Sequence, residues 1–362
     1  MSKSQVEVDK SSRKSAEAGA KKFAGSTSRK FNYFEPQGRR ATLYENITVD
    51  VQPDPERYLI QGWIISFSDG TPAYSDKRTK IKSSNWHEFR DPNGEWERTH
   101  YIRVASIEKQ INLTIQNARA EESFNNMDVG WVKILQNHLS ASKHAEYGLG
   151  MVFQCAQRDG MSQMINNAIL VNASDKLRYG QDLALYIMNI ANEIEFDEAA
   201  GKQHWLKNNE WQGVREVVEN FTASTDWAEQ VFAANLIYEP LVSELFRSGF
   251  LMQFAASHGD FVTPTIVATA EGDYERNLDY TLEMFYTFLQ DPEHGKYNKQ
   301  VAQQWLAKYV PMCVKAAKQL QPIWSQPRVK VTTFPNAYSR AEQRFQTILN
   351  ALNLELPKGV TL

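Results

Sequence analysis

Two short frames in this chain set an acid and a base three residues apart. They are Asp175-x-x-Arg178 within SDKLRYGQ, residues 174–181, and Asp273-x-x-Arg276 within GDYERNLD, residues 272–279. On a helix that spacing puts both side chains on one face, one turn apart. Helical bundles use the same spacing to hold metal ions, taking a Glu from each of two helices and a Glu-x-x-His pair from each of the other two. The positions beside the frames are Lys176 with Tyr179 and Tyr274 with Asn277. An ammonium cannot ligate iron, and neither pair offers the carboxylate and imidazole such a site needs.

The elements that must position these residues are helices. Apolar periodicity predicts helices near 99–122, 128–157, 162–195, 204–222, 225–257, 265–290, 297–320 and 337–352, with almost no alternating strand pattern. On four long ones the apolar face is interrupted midway by polar groups. Glu146 interrupts the first face, Lys176 and Tyr179 the second, Tyr274 and Asn277 the fourth, and Glu239 lies at the margin of the third. This pattern predicts an all-α, ferritin-like four-helix bundle with further helices around it and a polar layer at mid-height. Burying unpaired charge costs several kcal/mol, so that layer must be internally paired.

Composition narrows the function classes. The 362 residues are 42% apolar, and 40 Lys/Arg against 43 Asp/Glu argue against a dedicated nucleic-acid binder. Cys155 and Cys313 have no partner spacing and read as free thiols in a reducing, cytoplasmic setting. Residues 1–30 hold eight Lys/Arg and three Asp/Glu with no apolar run, the pattern of a mobile basic tail rather than a signal peptide. No window reads as a membrane span. Residues 31–98 are rich in aromatics and proline and read as an extended arm for partner docking, with Trp63, Trp86 and Trp96 as anchors. Residues 99–325 form the helical domain, and 326–362 a C-terminal extension with a short helix. No phosphate loop, dinucleotide fingerprint or Ser/His/Asp order occurs. The only intact Glu-x-x-His match, Glu97 to His100, precedes the bundle and lacks the second match a di-iron site requires. His87, His138, His144, His204, His258 and His294 form no cluster at metal spacing.

The frames resemble the Asp-Glu-x-Arg-His segments of the bacterial multicomponent monooxygenases, soluble di-iron enzymes that hydroxylate small hydrocarbons and phenols. HGDFVTPTIVATAEGDYERN, residues 258–277, is similar to the large subunits of that family. AEYGLGM, residues 145–151, and YEPLVSELFRSGF, residues 238–250, are similar to its small (beta) subunits. The resemblance runs from about residue 30 to 325. In the large subunits the Glu and His of these frames bind iron and the Asp and Arg support them. Here Asp175, Arg178, Asp273 and Arg276 remain while the ligand positions have changed. The resemblance therefore implies a noncatalytic small subunit with no catalytic, cofactor-binding or metal-binding residue of its own. It would pair with a di-iron large (alpha) subunit in an α2β2 hydroxylase and be served transiently by a coupling protein and a reductase that delivers electrons from NADH. Propane is the first expectation for the hydrocarbon, with other short alkanes, cyclic ethers and phenol-like compounds as alternatives.

A pseudo-two-fold relation between the second and fourth long helices predicts crossed ion pairs, Asp175 with Arg276 and Asp273 with Arg178. Lys176 is expected to answer Glu146, its ammonium standing roughly where a metal charge would. The competing class is a self-sufficient metal-dependent oxidase or oxygenase of the same fold, which bound iron with turnover in the lone chain would distinguish.

Overall fold

A computed structural model describes residues 41–50 and 76–362. Every regular element among them is helical. A short helix α1, Leu43–Asp50, lies within the stretch expected to be extended. It is followed in the described chain by α2, Glu97–Ala120. The next rod, α3, covers residues 129–159 as Val129–Ile134, a π-helical turn Leu135–Leu139, and Ser140–Asp159. Then come α4, Gln163–Ala191; α5, Ala200–Lys207; and α6, Asn209–Ala223.

The seventh rod, α7, spans residues 227–254 and is mostly not α-helical. Trp227–Phe232 leads into a π-helical stretch Ala233–Ser243, a turn Glu244–Phe246, a second π segment Arg247–Leu251, and Met252–Phe254. After it stand α8, Thr263–Leu289; α9, Gly295–Leu320; and α10, Phe334–Ala351. The long predicted helices are all present. The sequence reading omits α1, only eight residues long and too short for a periodic signal, and its 204–222 helix merges the end of α5 with α6.

Four rods, α3, α4, α7 and α8, make the bundle core. Their starts are set by local chemistry. Ser162 caps α4 by accepting from Ile165 N at 3.3 Å. Asp226 caps α7, accepting from the backbone of Ala228 and Glu229, each at 3.1 Å. Between α7 and α8 the chain reverses at Gly259, whose φ of +79° suits glycine. A Cβ there would stand 2.8 Å from Asn126 O, a second reason for glycine. Asp260 then accepts from Thr263 N at 2.9 Å to start α8 and from Trp131 Nε1 at 2.8 Å, joining that corner to α3.

Residues 76–96, the last part of the expected docking arm, run along this chain's own bundle. Lys80 N donates to Asp226 at 2.7 Å, Lys82 N to Asn298 at 3.0 Å, and Ser84 N to Asp291 at 2.6 Å. The Trp86 ring packs on Phe288 and Trp227, with centroids 5.4 and 6.1 Å away. Trp86 is therefore an anchor within the chain, because its apolar ring finds aromatic partners beside the strap. Trp96 is half-buried ahead of α2, its N–H held by Thr99 Oγ1 at 3.0 Å. Trp63 lies outside the described residues.

Candidate functional site

Two buried ionic layers lie inside the bundle. In the first, Lys176 of α4 donates to Glu146 of α3 at 3.0 Å and to Glu239 of α7. Arg247, eight residues after Glu239, meets the same two carboxylates from the other side. Its Nη1 lies 3.2 Å from Glu146 Oε1 and its Nη2 2.8 Å from Glu239 Oε2. A third bond runs from Arg247 Nε to Glu271 of α8 at 2.8 Å. Each of two carboxylates thus bridges two cations, one cation per oxygen. Glu146, Lys176, Glu239 and Arg247 are all buried.

Burial disfavours the charged form of Lys176, but Glu146 and Glu239 outweigh it and hold the ammonium's pKa above its ordinary value. Burial likewise raises the Glu239 carboxyl, and Lys176 followed by Arg247 overcomes it, leaving the group below the usual carboxylate range. A lysine so held is no nucleophile or base. Beside the layer is a cavity of about 10 Å³, room for roughly one water, walled in part by Glu146, Tyr238 and Tyr179. The Tyr179 hydroxyl has no hydrogen-bond partner among the described residues.

The second layer contains the two Asp-x-x-Arg frames and differs from the expected crossing. Arg178 pairs with Asp273, and also with Asp182 one turn along its own helix. Asp175 pairs with Arg103 of α2, at 3.0 Å, and not with Arg276. Arg103 also binds Asp273, and it reaches Glu95 at 2.7 Å. Arg276 is half-exposed and makes no ion pair among the described residues. The pseudo-two-fold relation fails at this residue because α2 crosses α4 and α8 and its Arg103 guanidinium contacts both aspartates at once.

Two guanidinium groups face four carboxylates here, Glu95, Asp175, Asp182 and Asp273. Burial first, then the charge of Asp273, raises the Asp175 carboxyl, while the same contacts hold Arg103 protonated. The cation at 3.0 Å is thus outweighed at Asp175 by lost hydration and a like charge. Asp182 is pushed up to about 6 by burial. His100, from the Glu-x-x-His match, is buried with Nδ1 3.8 Å from Asp175, whereas Glu97 is exposed and turned away. Burial and Arg103 hold the imidazole pKa down.

A neutral polar set adjoins the layers. Asn235 Nδ2 donates to Asn172 at 2.7 Å and Thr281 at 2.8 Å, and Tyr280 OH to Asn172 at 2.8 Å. Tyr274 OH donates to the backbone oxygen of Asn235 at 3.1 Å. Asn277 Nδ2 approaches Asp175 at 3.5 Å. Of the residues sequence reasoning placed in the site, all but Arg276 line these layers or adjoin them. It missed Arg247, Arg103, Glu271, Asp182 and Glu95. The arginine in YEPLVSELFRSGF, eight residues past Glu239, was the one available signal for Arg247.

The donor set does not fit a di-iron centre. Two carboxylates remain at a plausible depth, but Lys176 and Arg247 lie between them, and the remaining ligand positions hold phenols and an amide. Among the described residues no group of three or more His, Cys, Asp or Glu is arranged to hold a metal. What the arrangement does is hold four rods together by charge. Fold and site together define a ferritin-like helical bundle whose centre is filled by its own paired charged side chains.

Comparison with known proteins agrees with that class. The profile of the Methane/Phenol/Alkene Hydroxylase family matches residues 63–292. The chain is 46% identical to the propane 2-monooxygenase hydroxylase component small subunit of Rhodococcus jostii, over 95% of this chain and 94% of that one. It is 23% identical to the methane monooxygenase component A beta chain of Methylococcus capsulatus, over 82% of this chain and 79% of that one. The crystal structure of xenon-pressurized phenol hydroxylase from Pseudomonas sp. OX1 superposes with a TM-score of 0.75 at 18% identity, covering 92% of this chain and 100% of that one, a likeness of fold. The chain belongs to the methane, phenol and alkene hydroxylase family, and its relatives are small subunits of hydroxylase components.

Proposed function

We propose that this chain is the noncatalytic small subunit of a multicomponent monooxygenase hydroxylase acting on propane or a similarly small hydrocarbon. In this reading O2 chemistry occurs at a di-iron site on a large partner subunit, and two copies of each subunit form an α2β2 assembly. NADH supplies electrons through a reductase, a coupling protein binds transiently, and the system works in the cytoplasm. The ionic layers are a former metal cage turned into a brace that stiffens the small subunit against the iron-bearing one.

The observation that carries the proposal is the pair of cations, Lys176 and Arg247, bridged by the carboxylates of Glu146 and Glu239. Propane is supported by the name and 46% identity of the Rhodococcus jostii relative. The test is to purify the full chain alone and together with a large hydroxylase subunit from the same source, then measure iron and hydrocarbon turnover in each. The expected result is a stable complex carrying iron and activity, and no stoichiometric iron in the chain alone. Stoichiometric iron with turnover from the single chain would overturn the proposal and favour a self-sufficient oxidase.

A further inference from the structure

Helix α4 is inside out. Its 29 residues include four charged ones, Asp175, Lys176, Arg178 and Asp182, and all four are buried. Its solvent face carries no charge at all, while Leu170, Leu185 and Met188 stand 41–51% exposed on it. Globular helices ordinarily do the reverse.

The neighbouring rod α3 continues the surface. Tyr147, Met151 and Cys155 follow at four-residue steps on its outer side, exposed. The two helices touch at glycines: a Cβ at Gly150 would lie 2.6 Å from Leu177, and one at Gly180 would lie 3.6 Å from Tyr147 N. The two rows therefore form one uncharged surface, in which the half-buried Ser174 and the exposed Gln181 stand between Leu170 and Leu185. The half-buried Lys143 and the exposed Arg158 stand toward its ends.

We propose that this α3–α4 face is where the large hydroxylase subunit seats, through an apolar, uncharged helical surface of its own. The inference rests on the small-subunit reading and deepens it by assigning the interface. From Leu170 to Met188 the face runs about 27 Å at 1.5 Å per residue. Two helices side by side, spaced about 10 Å apart, give it an area of roughly 500 Å². A stable complex buries about 800 Å² per partner, with a dry apolar centre and a polar rim. The face matches such a centre, and Lys143 and Arg158 match its rim. A charged partner surface would be desolvated here with nothing to pair with, which restricts the occupant to an uncharged one.

Cys155 supplies a test that needs no substitution, because Cys313 is buried in the core and only Cys155 is exposed. The full chain, alone and co-purified with the large subunit, is treated with N-ethylmaleimide and the modification of Cys155 timed. Labelling in the complex is expected to be slower than in the chain alone by about tenfold or more. In parallel, L185E/M188E is expected to cut recovery of the large subunit by about tenfold, while Q343E/Q346E on the exposed side of α10 leaves it unchanged.

Equal labelling rates with undiminished recovery by L185E/M188E would overturn the assignment while leaving the subunit reading intact. Cys155 already protected in the chain alone would also overturn it, giving the face to a second copy if the chain sediments as a dimer, or to its own N-terminal segment if it is a monomer. Failure of the unmodified chain to retain the large subunit would sink the subunit reading itself, and this assignment with it. If L185E/M188E does not fold, the labelling comparison on unmodified protein decides.

Discussion

Lys176 and Arg276 are both cations inside or beside the bundle, yet they should behave differently when removed. Lys176→Met leaves Glu146 and Glu239 in a dry site with Arg247 alone, and removing one partner from a buried network costs about 3–5 kcal/mol. Arg276→Ala removes a half-exposed side chain without an ion pair among the described residues and should change stability by no more than about 0.5 kcal/mol. Urea unfolding of the two variants checks both figures. Equal costs would mean that the ion pairing described here is wrong. Acid sensitivity follows from Glu239. Its pKa lies below the ordinary 4.5, so its stabilising contribution is present above that value and is lost as the pH falls through the depressed one.

At the scale of elements, the π-helical stretch of α7 contains Pro240, which has no N–H to give to the carbonyl five residues back. That carbonyl is Asn235 O, and the Tyr274 hydroxyl bonds it instead. Tyr274→Phe should strand a buried acceptor at a cost of about 1–3 kcal/mol. Adding Pro240→Ala restores a backbone donor and should recover part of the loss, a coupling that a double-mutant cycle measures. Helix α10 offers a pH test. Burial and Glu271 push the Glu244 carboxyl up to about 7, despite Arg344 at 3.6 Å and with Arg247 and Glu275 nearby. A raised carboxyl contributes stability fully below its ordinary pKa and loses it as the pH rises through about 7. Protection of the amides around Tyr338 and Phe345, taken relative to their intrinsic exchange rates, should therefore fall between about pH 5 and 8, and Glu244→Gln should flatten that profile.

The same elements show what could be read from sequence. Stripes interrupted by Glu146 and Lys176 on periodic helices located the first layer, because a charged residue within an apolar face leaves few alternatives to internal pairing. Arg247 was missed because residues eight apart on an α-helix point about 80° apart. The wider π turns of α7 bring it back onto the face of Glu239, and no propensity announces such turns. Arg103 was missed for another reason. It enters from α2, outside the four-rod symmetry, and periodicity within one helix carries no information about what crosses it.

For the whole molecule, the strap at residues 76–96 matters most. Its backbone is tied to Asp226, Asn298 and Asp291, and Trp86 is wedged on Phe288 and Trp227. Trp86→Ala should lower the stability of the chain on its own by about 2 kcal/mol or more, as for other large aromatic truncations. A docking anchor would behave oppositely, weakening the complex while the melting of the single chain stayed unchanged. Calorimetry of the chain with and without its partner separates the two.

The reach of Arg103 also sets a timetable for synthesis. Its bond to Asp273 spans 170 residues, so at roughly 5–20 residues per second a ribosome needs about 8–34 s after making the arginine before the aspartate exists. Arg178 must wait for the same late segment to meet Asp273. A nascent chain stalled before residue 273 holds the early half of a lock without its bolt, so premature termination anywhere upstream should leave polypeptide that only chaperones or proteases can deal with.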